Sequence, residues 1–229
     1  MSVPTLPNPT RAARTARADG DATRLHMIET AGQLFAERGY ADTTSKAICA
    51  RAQANMAAVN YHFGSREGLY LAVLKEVQHR LMSMAFLNQL ASQPWPAEQK
   101  LVVFLEGLIT SVIDRQNWHT RLWAREVLSP SPLLSQLMRE ETLPKFDVLS
   151  MIVGEITGLS SADPALTPCV LNVVAPCLVL LVIDREIETP IQSLFQRSPA
   201  ELARHITAFA LAGLRAVGAA QTAVLPDKA

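Results

Sequence analysis

The stretch that decides the fold runs from Thr43 to Leu69 and reads TTSKAICARAQANMAAVNYHFGSREGL. Thr43 or Thr44 can cap a first helix and Asn55 a second, because their side-chain oxygens accept hydrogen bonds from free backbone amides. The pair Gln53-Ala54 lies between the two helices. We therefore predict two short helices joined by a tight turn.

The second helix, predicted over Met56–Tyr61, begins with small residues that let its backbone approach a neighbouring surface closely. Gly64 ends this helix and Ser65 caps the start of a third. Two short helices, a tight turn and a supporting helix make a helix-turn-helix unit, whose second helix enters the major groove of duplex DNA in the known examples.

The same residues resemble the DNA-binding domain of the TetR family of bacterial transcription regulators. The family pattern F-x-x-x-G-[YF] corresponds to Phe35–Tyr40, T-T-x-x-x-I-A-x-x-A-G-V to Thr43–Ala54, and Y-x-[HY]-F-x-[SN]-K-E-x-L to Asn60–Leu69. The wording around Asn55–Phe63 is similar to the CecR-like branch. The resemblance covers roughly residues 23–75, and it implies an all-α homodimer with a DNA-binding head and a helical body that binds a small effector.

Three positions depart from the family pattern. Gln53 replaces the turn glycine, so its backbone must become left-handed at a cost of about 1 kcal/mol, or the turn must shift. Asn60 replaces the first aromatic residue, and Arg66 replaces a lysine. Gln53 and Asn60 keep open an alternative: an all-α small-molecule-binding or enzymatic protein whose helix-turn-helix no longer binds DNA.

Candidate DNA contacts follow from the motif and the resemblance. Lys46 and Arg66 lie in the first turns of helices, where a cation and free amides can hold the same phosphate oxygen. Of Asn60 and Tyr61, one is expected to face DNA and one to pack inside, and helical geometry does not settle which. His62 either packs beneath the motif or reaches phosphate. The full set is Thr44, Lys46, Asn55, Met56, Ala57, Asn60, Tyr61, His62 and Arg66.

Composition limits the other functions. The 229 residues have zero net charge, but residues 1–80 carry ten Lys/Arg and seven Asp/Glu, and residues 81–229 carry eleven and fourteen. This distribution suits a chain of which only one end meets phosphate. No catalytic motif, cofactor motif or metal-ligand spacing is present. The three cysteines and the absence of a secretory signal favour a cytoplasmic protein, and the run Cys169–Ile183 predicts a buried helix rather than a membrane span.

The predicted organisation has three parts: a disordered basic tail over 1–20, a helix-turn-helix DNA-binding domain over 21–68, and a helical ligand-binding and dimerisation domain over 69–229. The first helix is expected over Thr23–Arg38, and one long helix over Glu67–Leu90. Pro144 predicts a kink. An S-x-x-E capping box at Ser198 predicts a final helix that ends near Gly218.

Two further sets of residues complete the prediction. The large apolar residues of the second domain are either plain core or, as the resemblance implies, the lining of an effector cavity: Phe86, Phe104, Trp118, Trp123 and Met138. The last two long helices carry more apolar surface than one chain needs, which predicts a four-helix dimer interface with Val174, Leu178, Leu181, Phe209, Ala210 and Leu214. The expected partners are a double-stranded DNA operator, an unknown small-molecule effector and a second copy of the chain, with no cofactor, metal or membrane.

Overall fold

The computed structural model describes the backbone of residues 10–113, 117–183 and 187–224, and the side chains of residues 20–220 within those ranges. The described residues form helices, turns and loops without a β-strand, as the sequence predicts. The chain divides into two compact units, Met1–Val73 and Leu74–Ala229. The boundary therefore falls after Val73, where the sequence analysis placed it after residue 68.

The first unit is built by α1 (Thr10–Arg38), α2 (Ser45–Ala52), α3 (Met56–Phe63) and the beginning of α4 (Arg66–Leu81). Its core is formed by fully buried apolar side chains, namely Met27, Leu34, Phe35, Ile48, Val59, Leu69 and Tyr70. The start of α1 corrects the expected start near Thr23, and Thr10–Gly20 is helical where a disordered tail was expected. This segment is rich in Ala and Arg, which have high helix propensity. Residues 1–9 of the expected tail lie outside the described residues.

The second unit is organised around α6 (Ala97–Ile113), which packs against α9 (Leu143–Thr157), α10 (Leu166–Val182) and α11 (Pro199–Val224). Three shorter helices complete it: α5 (Met84–Ala91), α7 (Trp118–Leu128) and α8 (Leu134–Leu137). The core contains Leu101, Leu105, Ile109, Leu149, Val153 and Val173. Among the described residues, no helix combines the length and apolar character that a membrane crossing requires.

The expected long helix over Glu67–Leu90 is two helices. α4 ends at Leu81, and Ser83 leaves the helical conformation with φ −80° and ψ 147°. The Ser83 hydroxyl oxygen accepts a hydrogen bond from the Phe86 amide at 3.1 Å and so caps α5. The apolar period continues through this break, which is why periodicity alone missed it.

The irregularity expected at Pro144 takes the form of a π-helical turn. This turn, Met138–Thr142, joins α8 to α9, and the Leu143 amide donates to the carbonyl of Met138, five residues earlier. A proline ring collides with the carbonyl four residues before it, here that of Glu140. The wider turn displaces this carbonyl, so the helical path continues through Pro144.

The final helix begins as predicted but ends later. The capping box is confirmed: the Ser198 amide donates to Glu201 Oε2 at 2.9 Å, and the Glu201 amide donates to the Ser198 hydroxyl oxygen at 3.3 Å. α11 then continues to Val224, past the expected end near Gly218. A Cβ at Gly218 would lie 2.7 Å from the Thr157 carbonyl oxygen. This glycine therefore permits a close approach of α11 to the end of α9 and is not a helix terminator.

A partly buried amine joins α9 to the last turns of α4. Lys145 Nζ donates to the Gln78 carbonyl oxygen at 2.9 Å and to Gln78 Oε1 at 3.1 Å. Burial lowers the pKa of Lys145 to about 8, opposed by the nearby Glu141 carboxylate. Close by, Lys75 Nζ pairs with Glu140 Oε2 at 2.6 Å. These contacts attach the C-terminal half of α4 to the π-helical turn and to α9.

The lowered pKa of Lys145 predicts a measurable pH dependence of stability. Between about pH 8 and the ordinary lysine value of 10.5, the unfolded chain binds more protons than the folded one, so the free energy of unfolding rises with pH. Solvent screening reduces the effect of this single group to about 1 kcal/mol. The Lys145→Met variant should lack this increase in the free energy of unfolding. Urea denaturation of wild type and variant at about pH 7.5 and about pH 10 measures it. Lys75→Met is the control, because it also removes one amine, in this case from a more exposed ion pair. An identical pH dependence in wild type and Lys145→Met would contradict the prediction.

Candidate nucleic-acid interface

The first helix of the motif is capped by Thr44. Its hydroxyl oxygen accepts from the Ala47 amide at 3.2 Å, and its backbone is extended, as N-cap residues are. Lys46 is exposed in the first turn that follows. The beginning of α2 therefore presents backbone amides and an ammonium group to solvent on adjacent positions, which is an arrangement suited to an anion.

The turn of the motif adopts the left-handed alternative. Gln53 has φ 52° and ψ 36°, and among the described residues it is the only one other than glycine with a positive φ. Its amide and that of Ala54 both reach the Cys49 carbonyl, the latter at 3.0 Å. The turn closes in the usual way despite the missing glycine, and the strain of about 1 kcal/mol is absorbed at one residue.

The second helix of the motif is held to the core on one side only. Asn55 caps α3, its Oδ1 accepting from the Ala58 amide at 2.9 Å. Val59 is fully buried, and the remaining contacts come from half-buried neighbours. The opposite face is exposed and consists of Met56, Ala57, Asn60 and Tyr61, with Tyr61 85% exposed. We call these four residues the recognition face.

The recognition face corrects one expectation. Asn60 and Tyr61 are both exposed, so neither packs inside. Adjacent residues lie about 100° apart around a helix. Because Val59 is the one fully buried side chain of α3, the exposed arc is wider than about 100° and includes both Asn60 and Tyr61. The half-buried His62 ring lies edge-on to Tyr61, with 4.9 Å between ring centroids, and thus supports the base of that side chain.

Arg66 is engaged inside the unit rather than extended into solvent. Its Nε donates to the Thr43 carbonyl at 2.7 Å, and its Nη2 donates to the Tyr40 carbonyl. The guanidinium carbon lies 4.1 Å from the centroid of the Tyr40 ring, and Nη1 is 3.8 Å from Glu67 Oε1. The guanidinium thus joins the start of α4 to the loop between α1 and α2, a role that the sequence analysis did not assign to it.

Thr43 and Gly68 have packing roles in the first unit that the sequence analysis did not assign to them. Thr43 is fully buried, and its hydroxyl lies 2.8 Å from the Gly39 carbonyl oxygen and 3.3 Å from that of Leu34, both of which it can donate to. A Cβ at Gly68 would lie 2.0 Å from the Phe63 carbonyl oxygen. The threonine was visible as a possible cap. The glycine gave no local signal, because its constraint arises from the contact between α3 and α4.

The aromatic and methionine residues proposed for an effector site lie apart from the cavity described below. Phe104, Trp118 and Trp123 are buried, while Phe86 and Met138 are half-buried. A cavity of about 750 Å³ lies elsewhere in the second unit, between α10 and α11, and none of these five residues lines it. Large side chains fill space, so they are the residues least suited to leave a void.

The residues proposed for the dimer interface divide into two groups. Leu181 and Leu214 are buried within the chain, which corrects their assignment to an outer surface. Val174 and Ala210 are half-buried. Leu178 and Phe209 are exposed, Phe209 by 78%. Among the residues that the structure describes, no group of three His, Cys, Asp or Glu side chains could hold a metal ion.

A three-helix head with a helix-turn-helix, followed by an all-α body, defines the class of helix-turn-helix transcriptional regulators. Residues 27–73 match the family of bacterial regulatory proteins of the tetR type. Residues 97–214 match the C-terminal domain of the HTH-type transcriptional dual regulator CecR. The chain therefore belongs to the TetR family of transcriptional regulators, and its second unit is of the CecR type.

Individual relatives agree with this assignment. The HTH-type transcriptional repressor NicS of Pseudomonas putida is 25% identical over 177 residues, which cover 73% of this chain and 80% of NicS. The dual regulator CecR of Shigella flexneri is 25% identical over 155 residues, covering 63% and 69% of the two chains. A TetR-like regulator from Rhodococcus sp. RHA1 has the same fold, with a TM-score of 0.61 at 16% identity over 84% of this chain and 95% of that one.

The close approach at Gly68 predicts a sharp effect of one methyl group. Gly68→Ala should destabilise the first unit by about 1–3 kcal/mol, because the new Cβ overlaps the Phe63 carbonyl. Gly20→Ala is the matched control: Gly20 is also helical but has no atom within 4 Å of its Cβ position, so the substitution should stabilise by up to about 1 kcal/mol. Thermal unfolding of both variants checks the signs. Equal melting temperatures would show that α3 and α4 can separate without loss.

Proposed function

We propose that the chain is a homodimeric repressor that reads an operator through the recognition face of α3 and is released by a small-molecule effector. The observation that carries the DNA-binding half of this proposal is the recognition face itself. A short helix that buries one side and exposes Met56, Ala57, Asn60 and Tyr61 on the other has the shape and polarity of a helix that enters a major groove.

The contacts divide into two kinds by chemistry. Asn60 carries an amide that can donate to and accept from the same adenine, and Met56 and Ala57 offer apolar contact to a thymine methyl group. Thr44 and Lys46 stand at the start of α2, where amides and a cation suit phosphate and fix the register of the motif on the duplex. The Tyr61 hydroxyl is suited to phosphate as well.

The alternative function, an all-α binding protein or enzyme with an inactive head, rested on Gln53 and Asn60. Gln53 closes the turn in the left-handed conformation. Asn60 is exposed beside Tyr61 and keeps hydrogen-bonding capacity on the groove-facing side. Neither residue now gives the alternative specific support. The name of NicS as a repressor supports repression for this chain, and the name of CecR as a dual regulator leaves room for activation.

Asn60→Ala should change the bases preferred by the protein. Loss of a bidentate contact costs about 1–3 kcal/mol at the position that it reads and little elsewhere. Selection of binding sites from a random duplex library, with wild type and variant in parallel, measures this. Asn88→Ala is the matched control, because Asn88 is also exposed but lies in α5, outside the recognition face. The same consensus and affinity for wild type and Asn60→Ala would remove Asn60 from base recognition.

Lys46 and Arg66 should behave differently although both are cations near the motif. Lys46→Ala should reduce the slope of log affinity against log salt by about 0.9, the effect of one lost phosphate contact. Arg66→Ala should weaken binding by loosening the head but leave the slope unchanged, because its guanidinium is held by the Tyr40 and Thr43 carbonyls. Fluorescence anisotropy across a salt series separates the two. A reduced slope for Arg66→Ala would restore it as a phosphate ligand.

The dimer is assigned to the outer face of α10 and α11. This face carries exposed apolar side chains at Leu171, Leu178, Val179 and Phe209, together with small exposed residues at Ala212 and Ala216 of α11 that permit close helix approach. Paired across a two-fold axis, four such helices make a self-complementary bundle. Two heads held by one dimer can meet half-sites one helical turn apart.

Phe209→Arg should yield a folded monomer with much weaker operator binding, because it places a charge on an exposed part of the proposed interface without touching the core. Leu143→Arg is the matched control, since Leu143 is also apolar and 53% exposed but lies at the start of α9. Sedimentation and circular dichroism report mass and folding. A dimeric Phe209→Arg protein, or a monomeric wild type at micromolar concentration, would contradict this interface.

A further inference from the structure

The cavity of about 750 Å³ in the second unit has three walls. α10 supplies one wall, with Val173 and Leu180, and α11 supplies a second, with Ile206 and Leu214. The chain between these helices supplies a third through Ile191 and Leu194. α10 and α11 alone would form only a flat surface. The third wall and the volume make this a pocket of the size that holds a small organic molecule.

The inner part of the cavity is apolar. Val173, Leu202 and Leu214 are each at least 95% buried and lie at its base. The space arises from short side chains on α11, because Ala210 and Gly213 both face it. Gly213 is exposed at the open side of the cavity, and a Cβ there would meet no atom within 4 Å. Such a base favours an aromatic or aliphatic ligand body.

Polar groups occupy one wall and the rim. Asn172 and Pro176 both line the cavity and lie four residues apart in α10. Proline has no amide hydrogen, so the Asn172 carbonyl lacks the donor that the helix would normally supply from that position. His205 of α11 adds an imidazole on the exposed side. The wall therefore offers hydrogen-bond acceptors and a side-chain amide within an otherwise apolar surface.

We propose that this cavity is the effector site, and that it takes a small apolar molecule with a hydrogen-bond donor, such as a hydroxyl group, directed at Asn172 and His205. The inference rests on the proposed function and places the effector away from the aromatic residues of α5, α6 and α7. Phe209 and Val179 lie at the mouth and are also exposed on the proposed dimer face. A second copy of the chain would thus cover the mouth, and the effector would act on the dimer directly.

The test uses the full-length protein and two probes, naphthol and methoxynaphthalene, which share a bicyclic body and differ in the hydroxyl donor. Naphthol should bind saturably with one site per chain, and methoxynaphthalene about fivefold more weakly, the effect of one neutral hydrogen bond. Calorimetric titration measures both. Equal affinities would overturn the assignment of a donor-bearing ligand, and absence of saturable binding would overturn the site.

The matched variants are Gly213→Leu and Ala208→Leu. The first fills the cavity from a position with free space, while the second adds the same side chain at an exposed residue of α11 that does not line the cavity. Naphthol affinity should fall at least tenfold in Gly213→Leu and stay unchanged in Ala208→Leu. Equal affinity in wild type and Gly213→Leu would place the site elsewhere.

Sedimentation and operator binding, measured on the same samples, distinguish a failure of this inference from a failure of the proposed function. A wild type that binds DNA but not naphthol, with Gly213→Leu becoming monomeric, would show that a second copy fills the cavity and would overturn the inference alone. A wild type that binds naphthol in the cavity but no DNA at low salt would overturn the proposed function alone. Naphthol that lowers the DNA affinity of wild type but not of Gly213→Leu would support both.

Discussion

The geometry of the head depends on one partly buried corner, where the Arg66 guanidinium donates to the Tyr40 and Thr43 carbonyls. α2 and α3 have eight residues each, and isolated helices of that length are unstable in water. Their positions must therefore come from tertiary contacts. A guanidinium can donate to two diverging carbonyls while it lies flat on the Tyr40 ring, and an ammonium group cannot reproduce that planar fork. Arginine supplies this fork at a position where the family pattern has lysine.

The features that the sequence predicted correctly are those with short-range causes. The caps at Thr44, Asn55 and Ser198 act through hydrogen bonds to residues three positions away, so the local pattern contains all the information. The exposed face of α3 was predicted only in part, because Asn60 and Tyr61 are both exposed where one of them was expected to pack inside. The partners of Arg66 lie 23 and 26 residues away. No local pattern specifies such contacts, which is why this side chain was assigned to phosphate.

The second unit shows a different limit of sequence reasoning. Apolar periodicity identifies buried faces, but it is the same for a filled core and for the wall of a cavity. Trp118 and Trp123 were natural candidates for a ligand site by size, yet size is what lets them fill the core. The cavity forms where α11 has Ala210 and Gly213 and where α10 contains Pro176. Under the proposal made above, residues that leave space mark the ligand site better than residues that fill it, and Pro176 lacks the amide that would bond the Asn172 carbonyl.

The cavity and the proposed dimer face share α10 and α11, and this has a thermodynamic consequence. If a ligand in the cavity changes the affinity of one copy for another by some factor, dimerisation changes the affinity for the ligand by the same factor. If both proposals hold, Phe209 is where the two equilibria meet, because it borders the cavity and is exposed on the proposed dimer face. The coupling then requires no movement carried through the core. An effector that changes how two copies meet at that residue would change the dimer on which the proposed operator binding depends.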